Sequence, residues 1–368
     1  MTEKMMVLKS ALIKQGRQLG FPIIGITGAQ LFQSWYKALE KRKDLDPEAV
    51  KVGSKVTANP QDIMPDAKAV VVAVYPYKPY LDDFPPGTGA YSAYYMEYPS
   101  GRKAAIQLSE VITKEGYDAV VNPPLPLKAA AYRAGLGWFG RNGVIYTREY
   151  GSWVALNLIL TNAPLPLDTR PQQESLCGKC TLCVEACPVN AITDDGAVLP
   201  GYCMRSYMIS PGFVPVNIRE KIGNKFLGCD ICQTVCPWNR KGMLQARPPS
   251  NEDIQAFNIF SILKGWCEND RKPLERLANV IGRNYARSQR VLSTAVIVAG
   301  NTGNPEYIPL LAKTLKHSYP PIRGHSAWAL AKIGSEHSRE ALSEALKNET
   351  DTQVIQEIQS AIQRINCN

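Results

Sequence analysis

The stretch CGKCTLCVEACP, residues 177–188, places Cys177, Cys180, Cys183 and Cys187 at spacings of three, three and four and follows them with Pro188. A second group, CDICQTVCP at 229–237, supplies Cys229, Cys232 and Cys236 before Pro237, and Cys203 stands 26 residues upstream of it. Eight of the ten cysteines are accounted for, and Cys267 and Cys367 stand apart. Disulfides are a poor reading, because nothing marks the chain for an oxidising compartment and cytosolic thiols stay reduced. C-x2-C pairs also suit tetrahedral zinc. Zinc does not account for four cysteines in a C-x2-C-x2-C-x3-C-P run.

That run is the one with which bacterial two-cluster ferredoxins hold 4Fe–4S cubes. Three cysteines three apart wrap one cube, and the fourth opens the next helix and reaches the other. The proline fixes φ where the chain reverses. The second half departs from strict pseudo-symmetry, since Cys203 is displaced, but the count closes at eight. The expected quartets are Cys177, Cys180, Cys183 and Cys236 for one cluster, and Cys187, Cys203, Cys229 and Cys232 for the other. Cys267 and Cys367 are expected to be unligated. Two cubes form an electron wire, and a wire on a chain of 368 residues leads to a further cofactor or to a partner.

The rest of the composition narrows the chemistry. Hydrophobic content of 45% and charged content of 20% are ordinary for a globular protein of two or three domains. No apolar run is long enough for a membrane span. The first residues, MTEKMMVLKSALIKQGRQLG, lack a signal-peptide core and a twin arginine, so a cytoplasmic protein is expected. A net charge of +9 is compatible with a polyanionic partner. The three histidines are His317, His325 and His337, so the first 316 residues contain no imidazole. Zinc-hydrolase centres, Ser-His-Asp triads and Cys-His dyads lack their usual parts there.

Three regions are expected. Residues 1–170 read as α/β, with apolar β-branched strands at 21–28, 67–77 and 116–122, two more within 143–161, and helices at 3–19, 30–43 and 103–115. Between them, 81–102 reads as a loop rich in tyrosine, either a satisfied surface or the wall of a pocket for a planar ligand. Residues 171–245 hold the cluster motifs. Residues 246–368 comprise a linking segment to 285 and a helical array. In that array LAKTLKHSYPPIRGHSAWALAKI realigns on LSEALKNETDTQVIQEIQSAIQRI with a period of 31 to 32, Leu311 onto Leu342 and Ile333 onto Ile365. Such a period marks helix-pair repeats of the HEAT type. Arg283, Asn284, Arg287 and Arg290, with Arg323, are the candidates for contact with a nucleic-acid backbone. GLGWFG (135–140) is read as a turn and not as a phosphate loop, because Trp138 and Phe139 crowd it. Trp153 is expected in the core.

AYRAGLGWFGRNGVIYTREYGSWVALNLILTN (131–162), the double cluster motif, KIGNKFLGCDICQTVCPWN (221–239) and the C-terminal repeats together resemble the epoxyqueuosine reductase family. The resemblance runs along nearly the whole chain, and 128–239 is its specific part. It implies an α+β protein: a nitroreductase-like cobalamin-binding domain, a ferredoxin-like domain with two 4Fe–4S clusters, and C-terminal HEAT-like repeats that help to hold a tRNA. It further implies cobalamin without a protein imidazole beneath the cobalt, consistent with the histidine count. Corrin contacts are implied near Ser92, Val121, Ile145, Thr147, Ser152, Ser206 and Asp230. A low-potential donor of the flavodoxin or ferredoxin type is implied as electron source, and the protein is expected to be a monomer. The family carries an aspartate before the AGLGW motif as proton donor. Here VVNPPLPLKAAAYRAGLGW puts Val121 or Asn122 in its place, and an amide supplies no proton near neutrality. Asn122 and Tyr94 are therefore the residues expected at the reacting centre, with Tyr94 as the alternative acid.

The expected activity is reduction of a tRNA-borne epoxide to an alkene. Two other readings stay open: a related reductase of another electrophile such as an organohalide, and a corrinoid-activating electron-transfer protein.

Overall fold

The computed structural model describes residues 3–42, 44–46, 55–168, 174–194, 196, 198–209 and 212–366, so Cys367 lies outside the described residues. The chain divides into two units interleaved in sequence. The first takes in Met1–Pro79, Ala93–Cys203 and Asp230–Arg247, and the second Tyr80–Ser92, Met204–Cys229 and Pro248–Asn368.

The first unit is organised by a sheet of four strands: β1 (Ile23–Gly28), β2 (Ala69–Pro76), β3 (Ala119–Val121) and β6 (Val154–Thr161), in the order β1-β2-β6-β3. Every pairing is antiparallel, with Ile26 opposite Val71, Val72 opposite Leu158 and Val121 opposite Ile159. Antiparallel sheets often leave one face to water and alternate in polarity. Here AVVVAVYP and VALNLILT are almost uniformly apolar, because both faces are covered. Val70, Val72, Val74, Leu156, Leu158 and Leu160 pack with Ala129, Ala130 and Ala131 of helix α4 (Leu127–Arg133). Alternate residues Ala69, Val71, Ala73 and Ile159 pack with α1 (Glu3–Gln18) and α3 (Ala93–Thr113) through Leu8, Leu12, Leu108 and Ile112. Helix α2 (Gln33–Glu40) follows β1, and a small hairpin of β4 (Trp138–Phe139) and β5 (Ile145–Tyr146) precedes β6.

The strand expectations are met within a few residues. Helix α3 is the exception, because it begins ten residues before the expected 103 and runs through Pro99. Proline in a helix interior forfeits a hydrogen bond. This turn offsets the loss with rings: Tyr95 is buried, and Tyr94 stacks on Tyr98 one turn later with centroids 5.6 Å apart. The tyrosine-rich segment is thus half loop and half helix, and Tyr94 stands on the helix.

In the second unit, 246–285 is not an irregular linker. It carries α6 (Asn251–Ala256), α7 (Ile259–Cys267) and α8 (Lys272–Ile281), short helices that start at the caps Ser250 and Asn258 and at Pro273. The array continues with α9 (Ser288–Thr302), α10 (Ile308–Thr314), α11 (Pro320–Ile333), α12 (Glu336–Asn348) and α13 (Thr352–Asn366). The repeat read from sequence is the pair α10/α11 followed by α12/α13, and the equivalent Leu311 and Leu342 are both fully buried. The buried histidine of the array is paired on both ring nitrogens. His325 accepts the Val214 N–H on Nε2 at 2.9 Å and meets Ser293 Oγ on Nδ1 at 2.9 Å. Burial, and then Arg219, hold its pKa well below the usual imidazole value. Arg219 is itself buried, donating to Val214 O and to both carboxylate oxygens of Glu357. Short strands Ala90–Tyr91 and Lys225–Leu227 pair in parallel, and Tyr91 stacks on Phe257 at 4.0 Å. Among the described residues no helix is long and apolar enough to cross a membrane.

Candidate iron–sulfur centre

Cys177 and Cys180 lie on the turn leading into the short helix α5 (Leu182–Glu185), Cys183 lies within that helix, and Cys236 follows the short helix Ile231–Thr234. The four line one cavity of about 190 Å³, together with Arg141, Asn142, Tyr146, Leu182, Pro237 and Trp238. The thiols are mutual neighbours: burial pushes Cys183 upward, and the charges of Cys177, Cys236 and Cys180 add to the push. A zinc ion would draw four sulfurs to within about 4 Å of one another, given Zn–S bonds near 2.3 Å. Among the described residues no group of three or more His, Cys, Asp or Glu closes on a single ion. Four thiols around an open cavity suit a cube, and this is the quartet expected for the first cluster. Of the second quartet, Cys187, Cys203 and Cys232 belong to the first unit, and Cys229 is the residue next to its boundary. Cys187 Sγ accepts the Ala191 N–H at 3.3 Å.

The loop of the β4–β5 hairpin reaches this cage. Gly137 is required there, since a Cβ would stand 2.0 Å from Tyr146 O. Beyond the hairpin, Thr147 and Gly151 form a tight backbone bridge, with Thr147 N–H on Gly151 O at 2.8 Å. Ser152 donates its N–H to Asn239 Oδ1 and its hydroxyl to Gln233 Oε1, each at 2.8 Å. Gln233 in turn donates to Asp230 Oδ1 at 2.7 Å. Ile145, Thr147 and Ser152 are buried, Val121 sits on β3, and Asp230 immediately precedes the helix Ile231–Thr234. These five residues, expected near a corrin, belong to the first unit. Ser92 and Ser206 belong to the second, where Ser92 N–H donates to Leu227 O at 2.9 Å and Ser206 lies on the helix Met204–Ile209. No imidazole stands among the seven. Backbone groups, neutral hydroxyls and one carboxylate suit propionamides, and none would ligate cobalt as an imidazole does. The rings of Tyr77, Tyr94 and Trp153 add an aromatic wall, with Tyr77 6.3 Å from Tyr94 and 6.1 Å from Trp153. Trp153 is buried, as expected.

Asn122 ends β3 with φ at +47°, a left-handed conformation that asparagine tolerates well. Its N–H donates to Leu158 O, and its Oδ1 accepts the Leu158 N–H, both at 2.8 Å. Its Nδ2 donates to Asn157 Oδ1 at 2.9 Å. The side chain closes the edge of the sheet as a further residue of strand would. Asn122→Ala should therefore lower stability by about 2–4 kcal/mol, from an unpaired Leu158 amide and from left-handed strain. A urea midpoint that does not move would remove this role.

In the second unit Arg283, Asn284 and Arg287 are exposed in the turn from α8 to α9, and Arg287 immediately precedes α9. Arg290 approaches Asn284 O at 3.4 Å, and burial with the neighbouring Arg287 lowers its pKa. Arg323 is spent elsewhere, in a two-point ion pair with Glu349 at 2.6 and 2.7 Å. The residues that sequence reading did not single out are Arg141, Asn142, Tyr146 and Trp238 around the cage. Trp238 is local to the second motif, two residues after Cys236, whereas Arg141, Asn142 and Tyr146 approach the cage through tertiary folding, and their one signal is their place inside the stretch 131–162.

A profile of the 4Fe-4S double cluster binding domain matches residues 176–239, and one of HEAT repeats matches 275–363. The epoxyqueuosine reductase of Bacillus subtilis (strain 168) is 30% identical over 375 residues, covering 97% of this chain and 95% of that protein. The epoxyqueuosine reductase of Vibrio cholerae is 32% identical over 339 residues, with 85% and 88% covered. Among solved structures, epoxyqueuosine reductase from Bacillus subtilis, with its aspartate catalytic loop swung out of the active site, superposes with a TM-score of 0.84 at 28% identity, over 98% of this chain and all of that one. Another epoxyqueuosine reductase, crystallised with an epoxyqueuosine-modified tRNA-Tyr stem loop, superposes with a TM-score of 0.82 at 26% identity, over the same shares. With the cluster cage, the paired helical repeats and kinship along almost the entire length, the chain belongs to the epoxyqueuosine reductase family.

Proposed function

We propose that this chain is a cobalamin-dependent reductase that converts the epoxide of an epoxyqueuosine residue in tRNA to an alkene. The observation that carries the reading is a cluster cage on a chain that matches epoxyqueuosine reductases from end to end. Removing the oxygen as water takes two electrons and two protons. The clusters, when bound, supply low-potential electrons, and the corrin supplies the cobalt through which they reach carbon. The chain's own residues bind, orient and protonate. Val121, Ile145, Thr147, Ser152 and Asp230, with Ser92 and Ser206, are the proposed corrin contacts. Tyr94 Oη is the proposed acid, since the Asn122 amide has no proton to give and is bound into the sheet. Arg283, Asn284, Arg287 and Arg290 are proposed to neutralise phosphates of the tRNA, and arginines beside a helix start suit that role. A small low-potential protein of the flavodoxin or ferredoxin type is the proposed electron donor. A cytoplasmic location and a monomeric state are part of the same proposal.

The test is anaerobic reconstitution with iron, sulfide and cobalamin, followed by chemical reduction and incubation with epoxyqueuosine-containing tRNA. Loss of one oxygen atom from the modified base, read by mass spectrometry, supports the reading. Unchanged tRNA in the presence of bound corrin and reduced clusters overturns it. Asn122 in place of an aspartate favours one second reading, reduction of a smaller electrophile, which a parallel assay on a small epoxide or organohalide would reveal. Replacing Arg283, Arg287 and Arg290 together by Ala should weaken tRNA binding and flatten its log–log salt dependence by about 2–3 units, near 0.9 per phosphate contact.

A further inference from the structure

The loop between β4 and β5 belongs in sequence to the α/β layer, yet it supplies much of the wall of the first cluster cage. The Arg141 amide points at Cys177 Sγ, 3.3 Å away. Its guanidinium donates to three carbonyls of the surrounding loops: Cys180 O at 3.0 Å, Gly178 O at 3.2 Å and Asp194 O at 2.9 Å. Asn142 is buried and donates from Nδ2 to Tyr146 Oη at 2.9 Å and to Cys232 O at 3.1 Å. Tyr146 is buried as well and lines the cavity beside Cys236, with Ser152 a second neighbour of its hydroxyl. The Asn142 amide occupies an acceptor site on Oη, which leaves the phenolic proton for Cys236 Sγ or Ser152 Oγ. Trp138 stacks on Tyr146 with centroids 6.0 Å apart and meets Trp238 edge-on at 4.9 Å, so one wall of the cage is aromatic.

Hydrogen bonds to cluster sulfurs, together with nearby charge, are among the factors that set a cluster's potential. A donor aimed at a ligand sulfur stabilises the more negative, reduced cube over the oxidised one. We propose that Arg141, Asn142 and Tyr146 raise the reduction potential of the cluster held by Cys177, Cys180, Cys183 and Cys236, through donors aimed at Cys177 Sγ and Cys236 Sγ and through the guanidinium clamp on the ligand loop. They are positioning residues, since none touches a reacting atom of the substrate. The proposal rests on the cluster assignment and not on the identity of the substrate. It also distinguishes the two cubes, because Tyr146 addresses a ligand of the first alone.

The experiment is a redox titration of the reconstituted protein, read by electron paramagnetic resonance, for the unaltered chain and for Tyr146→Phe. Phenylalanine keeps the ring against Trp138 and removes the donor. The midpoint of one cluster should move negative, so that at a fixed poise its reduced-to-oxidised ratio falls about tenfold, equivalent to about 59 mV for a one-electron couple. The other cluster should stay where it was. In resonance Raman spectra, exchange into D2O should displace the Fe–Sγ stretching bands of the unaltered protein, and by less in Tyr146→Phe. If Tyr146→Phe fails to hold iron, Asn142→Ala keeps the phenol but frees its orientation, and should shift the same midpoint the same way by a smaller amount. An unchanged midpoint with full iron content, or an equal shift of both clusters, overturns the assignment.

Discussion

Tyr94→Phe should reduce single-turnover epoxide reduction by about 10²–10⁴-fold, the usual contribution of a positioned acid, with iron content and tRNA affinity unchanged. The ring itself is structural. It stacks on Tyr98 and stands edge-on to Tyr77 and Tyr95, and phenylalanine preserves all three contacts. Only the hydroxyl is lost, so a fall in rate isolates its chemistry. Tyr77, 6.3 Å from Tyr94, is a natural control. Burial, followed by the charges of Asp230 and Tyr94, pushes its hydroxyl well above the usual tyrosine range. Such a group holds its proton and is a poor donor to a leaving oxygen. Tyr77→Phe should therefore cost far less than Tyr94→Phe. Equal rates for Tyr94→Phe and the unaltered chain would assign the proton to solvent or to another side chain.

Glu357→Ala should destabilise the second unit by about 3 kcal/mol or more, the range found when one partner of a buried ion pair is removed. The Arg219 side chain is 1% exposed and that of Glu357 16%, so the loss leaves a guanidinium with almost no access to water. Val214 O would remain as an acceptor, and the Trp328 ring 5.8 Å away would remain a weak cation partner. Neither replaces a carboxylate. The pair also bridges distant sequence, α13 to the short helix Val216–Ile222, so its loss loosens two segments at once. Thermal unfolding followed by circular dichroism reads the effect. A melting temperature within a degree or so of the unaltered protein would mean that water reaches Arg219 freely.

What could be read from sequence follows the range of the interactions involved. The cluster quartets are local: cysteines three apart share one turn whatever surrounds them, and Cys236 needs only the second motif to find them. The helical array announces itself by a period, and Leu311 and Leu342 fall at equivalent buried places. Helix α3 was legible only from 103 onward, because Pro99 and the run of tyrosines argue against a helix until ring stacking is counted. Asn122 reads as a missing acid in sequence. In the structure it is a strand terminus, a role set by Leu158, 36 residues away. Arg141 and Tyr146 carry no signal of cluster contact in sequence, since their partners lie 36 to 90 residues further on. Arg323 shows the converse, a basic residue in a basic region whose charge is consumed by Glu349.

The chain crosses between its two units five times, at 79/80, 92/93, 203/204, 229/230 and 247/248. A ribosome therefore delivers Tyr91 long before Phe257, the ring on which it stacks, and delivers the strand at Lys225–Leu227 before the helices that complete its unit. Those segments must wait, and contacts that close over long separations are slow to form. The array of repeats is consequently no detachable handle. A chain cut at residue 247 would leave Tyr80, Phe84 and Tyr91 without Phe257, exposing a cluster of aromatic rings to water, and is expected to aggregate where the intact chain does not.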